Sequence, residues 1–176
     1  MTLTFLNYII LLLLILPIVG ILILLPIEKK NSLVLKKICL ANSAVTFVIS
    51  LFLLVYFNKS VGYFQYYTAI AWLPFFNINL NLGVDGISIF FIILTTMLIT
   101  LCLLVSWNSI SVNLKEYLIC FLILEFFLIG VFCVLDLMLF YVLFESVLIP
   151  MYLIIGVWGS RERKIRAAFF FLYTPW

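Results

Sequence analysis

Two glutamates stand inside long apolar runs, and they are the side chains of this sequence best placed to do chemistry. Glu145 lies in Leu143-Phe144-Glu145-Ser146, and Glu125 lies in Leu124-Glu125-Phe126-Phe127. If these runs cross a bilayer, a carboxyl at that depth costs about 2.5–3.5 kcal/mol on the insertion scale unless it is neutral, paired or hydrated. Burial favours the neutral acid, and a neighbouring Lys⁺ favours the carboxylate. A group balanced between the two takes up and gives up protons near neutral pH, which is the chemistry of a proton relay. The backbone adds a second cue at Glu145. Pro150 has no N–H, so the carbonyl of Ser146 loses its helical partner and is free to hold a water or a donor side chain. Glu125 has no second polar residue beside it and is the weaker relay candidate. The competing reading of both glutamates is structural: a neutral carboxyl bonded to a neighbouring helix, or an ion pair used only in assembly.

Asp85, in Leu82-Gly83-Val84-Asp85-Gly86-Ile87-Ser88, precedes an apolar run. That is the place of a helix N-cap, with the glycines suited to a tight entry turn. A proton-exit role is the alternative. Asp136 likewise reads as a helix-start residue. The chain contains no His, which removes imidazole relays, haem ligation and zinc binding. Its four cysteines, Cys39, Cys102, Cys120 and Cys133, form no C-x-x-C and sit in apolar runs, so they read as packing residues. Neither a metal site nor a cofactor bound by this chain is expected.

The surroundings these residues need follow from composition. Of 176 residues, 68% are hydrophobic and 10% charged, against about 25% charged in an ordinary soluble domain. This excludes a cytosolic enzyme and a disordered segment, and a net charge of +3 is too small for a nucleic-acid surface. The expected fold is all-α, a polytopic transmembrane helix bundle forming one membrane domain over residues 1–176. Apolar runs predict spans at 5–27, 33–57, 84–107, 117–135 and 137–158, with an incomplete sixth at 165–176. The first run lacks a basic leader and reads as a retained span. Residues 58–83 are too polar to cross and rich in Tyr and Trp, so they are expected to lie along the outer membrane surface or to cap the bundle.

Nine of the ten Lys and Arg residues fall in the connections after the first, third and fifth spans. They include Lys29, Lys30, Lys36, Lys37 and Lys115, and the loop residues Arg161, Arg163, Lys164 and Arg166. Only Lys59 falls on the other side. By the positive-inside rule this puts the N-terminus outside and the Arg-rich loop in the matrix or cytoplasm.

Three segments in order carry a resemblance: Leu82 to Ser88, Leu137 to Met151 with Phe144-Glu145-Ser146 and Ile149-Pro150-Met151 at its heart, and Gly156-Val157-Trp158-Gly159-Ser160-Arg161 followed by Arg166-Ala167-Ala168. Together they resemble the subunit 4 family of NADH:ubiquinone oxidoreductase, respiratory complex I, in its mitochondrial forms of plant and protist type. The resemblance implies the N-terminal part of an antiporter-like fold in the mitochondrial inner membrane, with the N-terminus on the intermembrane-space side. It implies a proton-translocating role in a complex that oxidises NADH and reduces ubiquinone, and the other membrane-arm subunits as partners. Glu145 takes the place of the family's mid-membrane Glu, whose partner is a Lys on a later, broken helix, and Asp85 the place of its Asp motif. This sequence stops at Trp176, so a second chain carrying the remaining part is expected. The rival readings are a subunit of an Mrp-type cation/proton antiporter, which shares the fold, and a structural membrane piece that moves no protons.

Overall fold

The computed structural model describes residues 2–57, 64–73 and 78–159. The sixth span, Lys59 and the loop residues Arg161, Arg163, Lys164 and Arg166 lie outside the described residues. Among the described residues five helices run up and down: α1 Thr2–Leu24, α2 Ser32–Val55, α3 Gly86–Val105, α4 Leu114–Cys133 and α5 Leu137–Trp158. Helices α2 to α5 are each long and apolar enough to cross a membrane. An apolar stretch must close all its backbone hydrogen bonds internally, which is why these runs become helices.

Helix limits follow local chemistry. Helix α1 ends at Leu24 because Pro26 disfavours helical backbone in the residue before it. Helix α3 begins at Gly86 because Asp85 caps it, in extended backbone at φ −102° and ψ 174°. Helix α4 starts at Leu114, earlier than its apolar run predicts, directly after Asn113, whose backbone is left-handed at φ 49°, and its first turn carries Lys115 and Glu116, which contact the end of α1 and Lys29.

The chain is not wholly helical. Within residues 58–83 and just beyond, β1 Gln65–Leu73 and β2 Ile78–Val84 pair antiparallel, with Thr68 opposite Leu82 and Ile70 opposite Leu80. The sequence carries the reason. Ile78-Asn79-Leu80-Asn81-Leu82 alternates with period two, and Tyr66-Tyr67-Thr68 and Ile70 favour a pleated surface. Leu82 and Val84, on one face of β2, are buried against the bundle. The Leu135 N–H donates to the Asn81 carbonyl at 2.9 Å, so the hairpin is tied to the α4–α5 turn.

Among the described residues two apolar clusters fill the interior. One, at the hairpin end, gathers Ile10, Leu13, Leu53, Leu82, Val84, Ile89, Ile92, Ile129 and Cys133. The other, at the opposite end, gathers Leu24, Leu35, Cys39, Ile99, Leu103, Leu114, Tyr117, Leu118 and Leu122. Helix α5 packs against α4, and only Leu139 and Pro150 of its residues are buried.

Candidate functional site

Between the two apolar clusters, three helices change character at one level. In α2 the buried residues pass from Leu35 and Cys39 to Ser43, Thr46 and Ser50, then back to Leu53. In α3, Thr95 and Thr96 separate Ile92 from Ile99. In α4, Glu125 separates Leu122 from Ile129. The result is a polar belt at mid-height of the bundle, closed above and below by hydrocarbon.

Most of this belt satisfies itself. Ser43 Oγ donates to the Leu40 carbonyl at 3.1 Å, Thr46 Oγ1 to the Asn42 carbonyl at 2.9 Å, and Thr95 Oγ1 to the Phe91 carbonyl at 2.8 Å. Such back-bonding to the preceding turn lets a hydroxyl sit in an apolar interior. One bond crosses helices: Ser50 Oγ and Thr96 Oγ1 lie 3.0 Å apart and tie α2 to α3. Inter-helix bonds of this kind in lipid average about 0.6 kcal/mol.

Glu125 is the exception. It is 0% exposed, and neither carboxyl oxygen has a hydrogen-bond partner among the described residues. The buried Asn42 Nδ2 on α2 lacks one too. Cys39, one turn before Asn42, lies within electrostatic reach of Glu125, and its Sγ is 4.0 Å from the Leu118 carbonyl.

Glu145 is less enclosed. It is half-buried on α5, eight residues past Leu137 and thirteen before Trp158. Tyr141, one turn earlier, is placed to hydrogen bond to its carboxyl. Ser146 turns its hydroxyl to the Val142 carbonyl at 2.7 Å, and Pro150 is buried. The structure therefore does not bring the two glutamates into one hydrogen-bonded pair. Among the described residues, the ion pair is Lys29–Glu116 at the far end of the bundle.

Asp85 and Asp136 both cap helices at the hairpin end. Asp85 Oδ1 accepts from the Ser88 N–H at 2.7 Å, and Asp136 Oδ1 from the Met138 N–H at 2.9 Å. The Ser88 hydrogen bonds hold the Asp85 carboxyl below its usual range. The lysines collect at the other end. Lys115 Nζ donates to the carbonyls of Leu25 and Ile27 at 2.6 and 2.9 Å, completing the end of α1. Lys36 Nζ donates to the Trp107 carbonyl and lies 5.8 Å from the Trp107 ring centroid. The connections after α1 and α3 thus share one end of the bundle, and Trp158 at the close of α5 joins them through the Val112 carbonyl.

The sequence reading missed the belt. The signal was present, since Ser43, Thr46 and Ser50 recur at helical spacing on one face of α2. Small hydroxyl residues in an apolar run draw less notice than a charge.

Comparison with known proteins agrees with this architecture. Residues 134–175 match the family model described as NADH:quinone oxidoreductase/Mrp antiporter, TM. That description embraces oxidoreductase and antiporter alike. The NADH-ubiquinone oxidoreductase chain 4 of Chondrus crispus is 59% identical over 159 residues, covering 90% of this chain and 32% of that protein. The chain 4 of Arabidopsis thaliana is 55% identical, with 90% and 32% covered. That of Marchantia polymorpha is 53% identical, with 92% and 33% covered. A chain of respiratory complex I from Thermus thermophilus with bound NADH superposes with a TM-score of 0.76 at 26% identity, covering 94% of this chain and 32% of that one. The chain spans about a third of the length of the relatives it matches. Over about nine-tenths of its residues, then, this membrane-spanning chain is homologous to NADH-ubiquinone oxidoreductase chain 4 and shares the antiporter-like fold of the complex I membrane arm.

Proposed function

We propose that this chain forms part of a proton-translocating membrane-arm subunit of an NADH:ubiquinone oxidoreductase in the mitochondrial inner membrane. The complex passes electrons from NADH to ubiquinone, and this chain serves the pumping side, binding neither cofactor. What carries the reading is a carboxyl at mid-height of a transmembrane helix, Glu145, in a chain homologous to an oxidoreductase membrane subunit. A cost of a few kcal/mol argues that such a carboxyl has a task. Its cationic partner, by the family resemblance, is a Lys from a further part of the antiporter fold, continuous with this chain or on a separate one. The neighbours are the other membrane-arm subunits.

The lysine-rich end of the bundle then faces the matrix and the hairpin end the intermembrane space, following the positive-inside rule. Glu125, enclosed in the belt, is the second relay candidate, and Asp85, at the hairpin end, is a candidate for proton exit.

Glu145→Gln tests the proposal. The amide keeps the shape and can hydrogen bond but carries no transferable proton. The expected result is an assembled complex whose proton pumping falls at least tenfold. Ubiquinone reduction by NADH falls with it, and NADH oxidation by artificial acceptors persists. An assembled Glu145→Gln complex pumping at the native rate removes the relay. Loss of assembly together with every activity supports the structural reading. Sodium-dependent transport without NADH oxidation supports an Mrp-type antiporter.

A further inference from the structure

We propose that the seam between α2 and α4 is a binding site for water, with at least one molecule bridging the Asn42 amide and the Glu125 carboxyl. The argument starts from two buried polar groups on facing helices, neither of which has a partner among the described residues. Interiors seldom leave such groups bare, and internal water is the usual partner where polar atoms converge.

Register brings the two groups to within about one helical turn of each other. Helices α2 and α4 both run from the lysine end to the hairpin end, and Cys39 lies beside Leu118. At equal rise per residue, seven residues further on, Thr46 stands level with Glu125. Asn42, one turn before Thr46 on α2, is met from the α1 side. A Cβ built on Gly20 would lie 2.5 Å from Asn42 Nδ2 and 3.1 Å from Leu122 Cδ1, so Gly20, Asn42 and Leu122 meet at one point. Glu125 is one turn beyond Leu122. The absence of a side chain at Gly20 is what leaves room for the amide.

Among the described residues, other ways of satisfying Glu125 fail on geometry. The described lysines sit at the end of the bundle, bound to carbonyls and Glu116 or on the exposed surface. The belt hydroxyls Ser43 and Thr46 give their protons to their own helix, yet their oxygens can still accept. A water in the seam therefore finds an amide donor, a carboxyl and hydroxyl acceptors, the two to four partners such a molecule needs. Apolar clusters on both sides separate it from bulk solvent.

The proposal does not rest on proton pumping, and an unaltered Glu145→Gln complex leaves it standing. Its test is a map of the intact complex at a resolution that shows water. The expected result is a peak within about 2.7–3.2 Å of both Asn42 Nδ2 and a Glu125 oxygen. In Asn42→Leu the bridging peak is lost. A dry seam, a direct Asn42–Glu125 bond, or another side chain seated on Glu125 overturns the proposal. So does persistence of the peak in an unchanged place in Asn42→Leu. If that variant does not assemble, the native map decides alone.

Discussion

The indole N–H of Trp158 donates to the carbonyl oxygen of Val112 at 2.8 Å, joining the last described turn of α5 to the α3–α4 connection. The same ring meets Tyr117 edge-on, with centroids 5.1 Å apart and planes at 70°. This is how α5, with few buried side chains, is held in register on α4. Trp158→Phe keeps an aromatic ring and loses the bond, so it should destabilise by about 0.5–1.5 kcal/mol. Trp158→Ala loses both and should cost more. Thermal unfolding of the detergent-solubilised complex checks this, and equal shifts for the two variants contradict the division.

Lys29 and Lys115 reach the same end of the bundle with unequal consequences. The Lys29–Glu116 pair has side chains 69% and 42% exposed. Water and salt screen such a pair, and it contributes about 0–1 kcal/mol. Lys115 instead completes two carbonyls at the end of α1. Lys29→Met should barely move the unfolding midpoint, and Lys115→Met should lower it by an amount corresponding to about 1–2 kcal/mol. Raising salt should erase the Lys29 effect first. A larger loss for Lys29→Met reverses the ranking.

Asp85→Ala removes the cap of α3, at about 0.5–2 kcal/mol, and Asp85→Asn should retain most of it. The Ser88 hydrogen bonds hold the carboxyl below the ordinary aspartate range. A lowered native value means the ionised cap stabilises above the unfolded value and is lost as pH falls through the native one. Acidification below about pH 4 should therefore weaken the native chain more than it weakens Asp85→Asn. Hydrogen exchange of the first turn of α3 between pH 3 and 6 gives the measurement, and identical acid profiles for the two count against it.

Cysteine accessibility tests the orientation. Lys30→Cys, at the exposed lysine end, should react with an impermeant thiol reagent only from the matrix side of sealed vesicles. Leu137→Cys, 82% exposed at the hairpin end, should react only from the other side. Reversed labelling inverts the topology.

Glu145→Asp keeps the charge and withdraws it by one methylene. Proton pumping should fall between native and Glu145→Gln, because the gap to a cationic partner lengthens. Pumping below that of Glu145→Gln would place the defect in packing around α5.

The sequence by itself determined the helices of the bundle, the two aspartate caps, and the collection of basic residues in alternate connections. These are local matters. Backbone groups in lipid have no partner but their own segment, and a cap is set by the residue at the helix start. Alternation of the β2 residues was equally local, and short apolar–polar alternation beside long helical runs was simply read as surface. What only the tertiary structure decided is which faces are inside. In a soluble protein hydropathy separates buried from exposed faces, but lipid is as apolar as a core, so Leu118 and Leu98 look alike in sequence although one is buried and the other faces outward. For the same reason the sequence ranked Glu145 above Glu125 on its neighbouring Ser and Pro, while packing of α1 and α2 on α4 enclosed Glu125 and left Glu145 half-open. Burial depends on partners tens of residues away, and the polar belt exists only because three helices align their hydroxyls and carboxyl at one height.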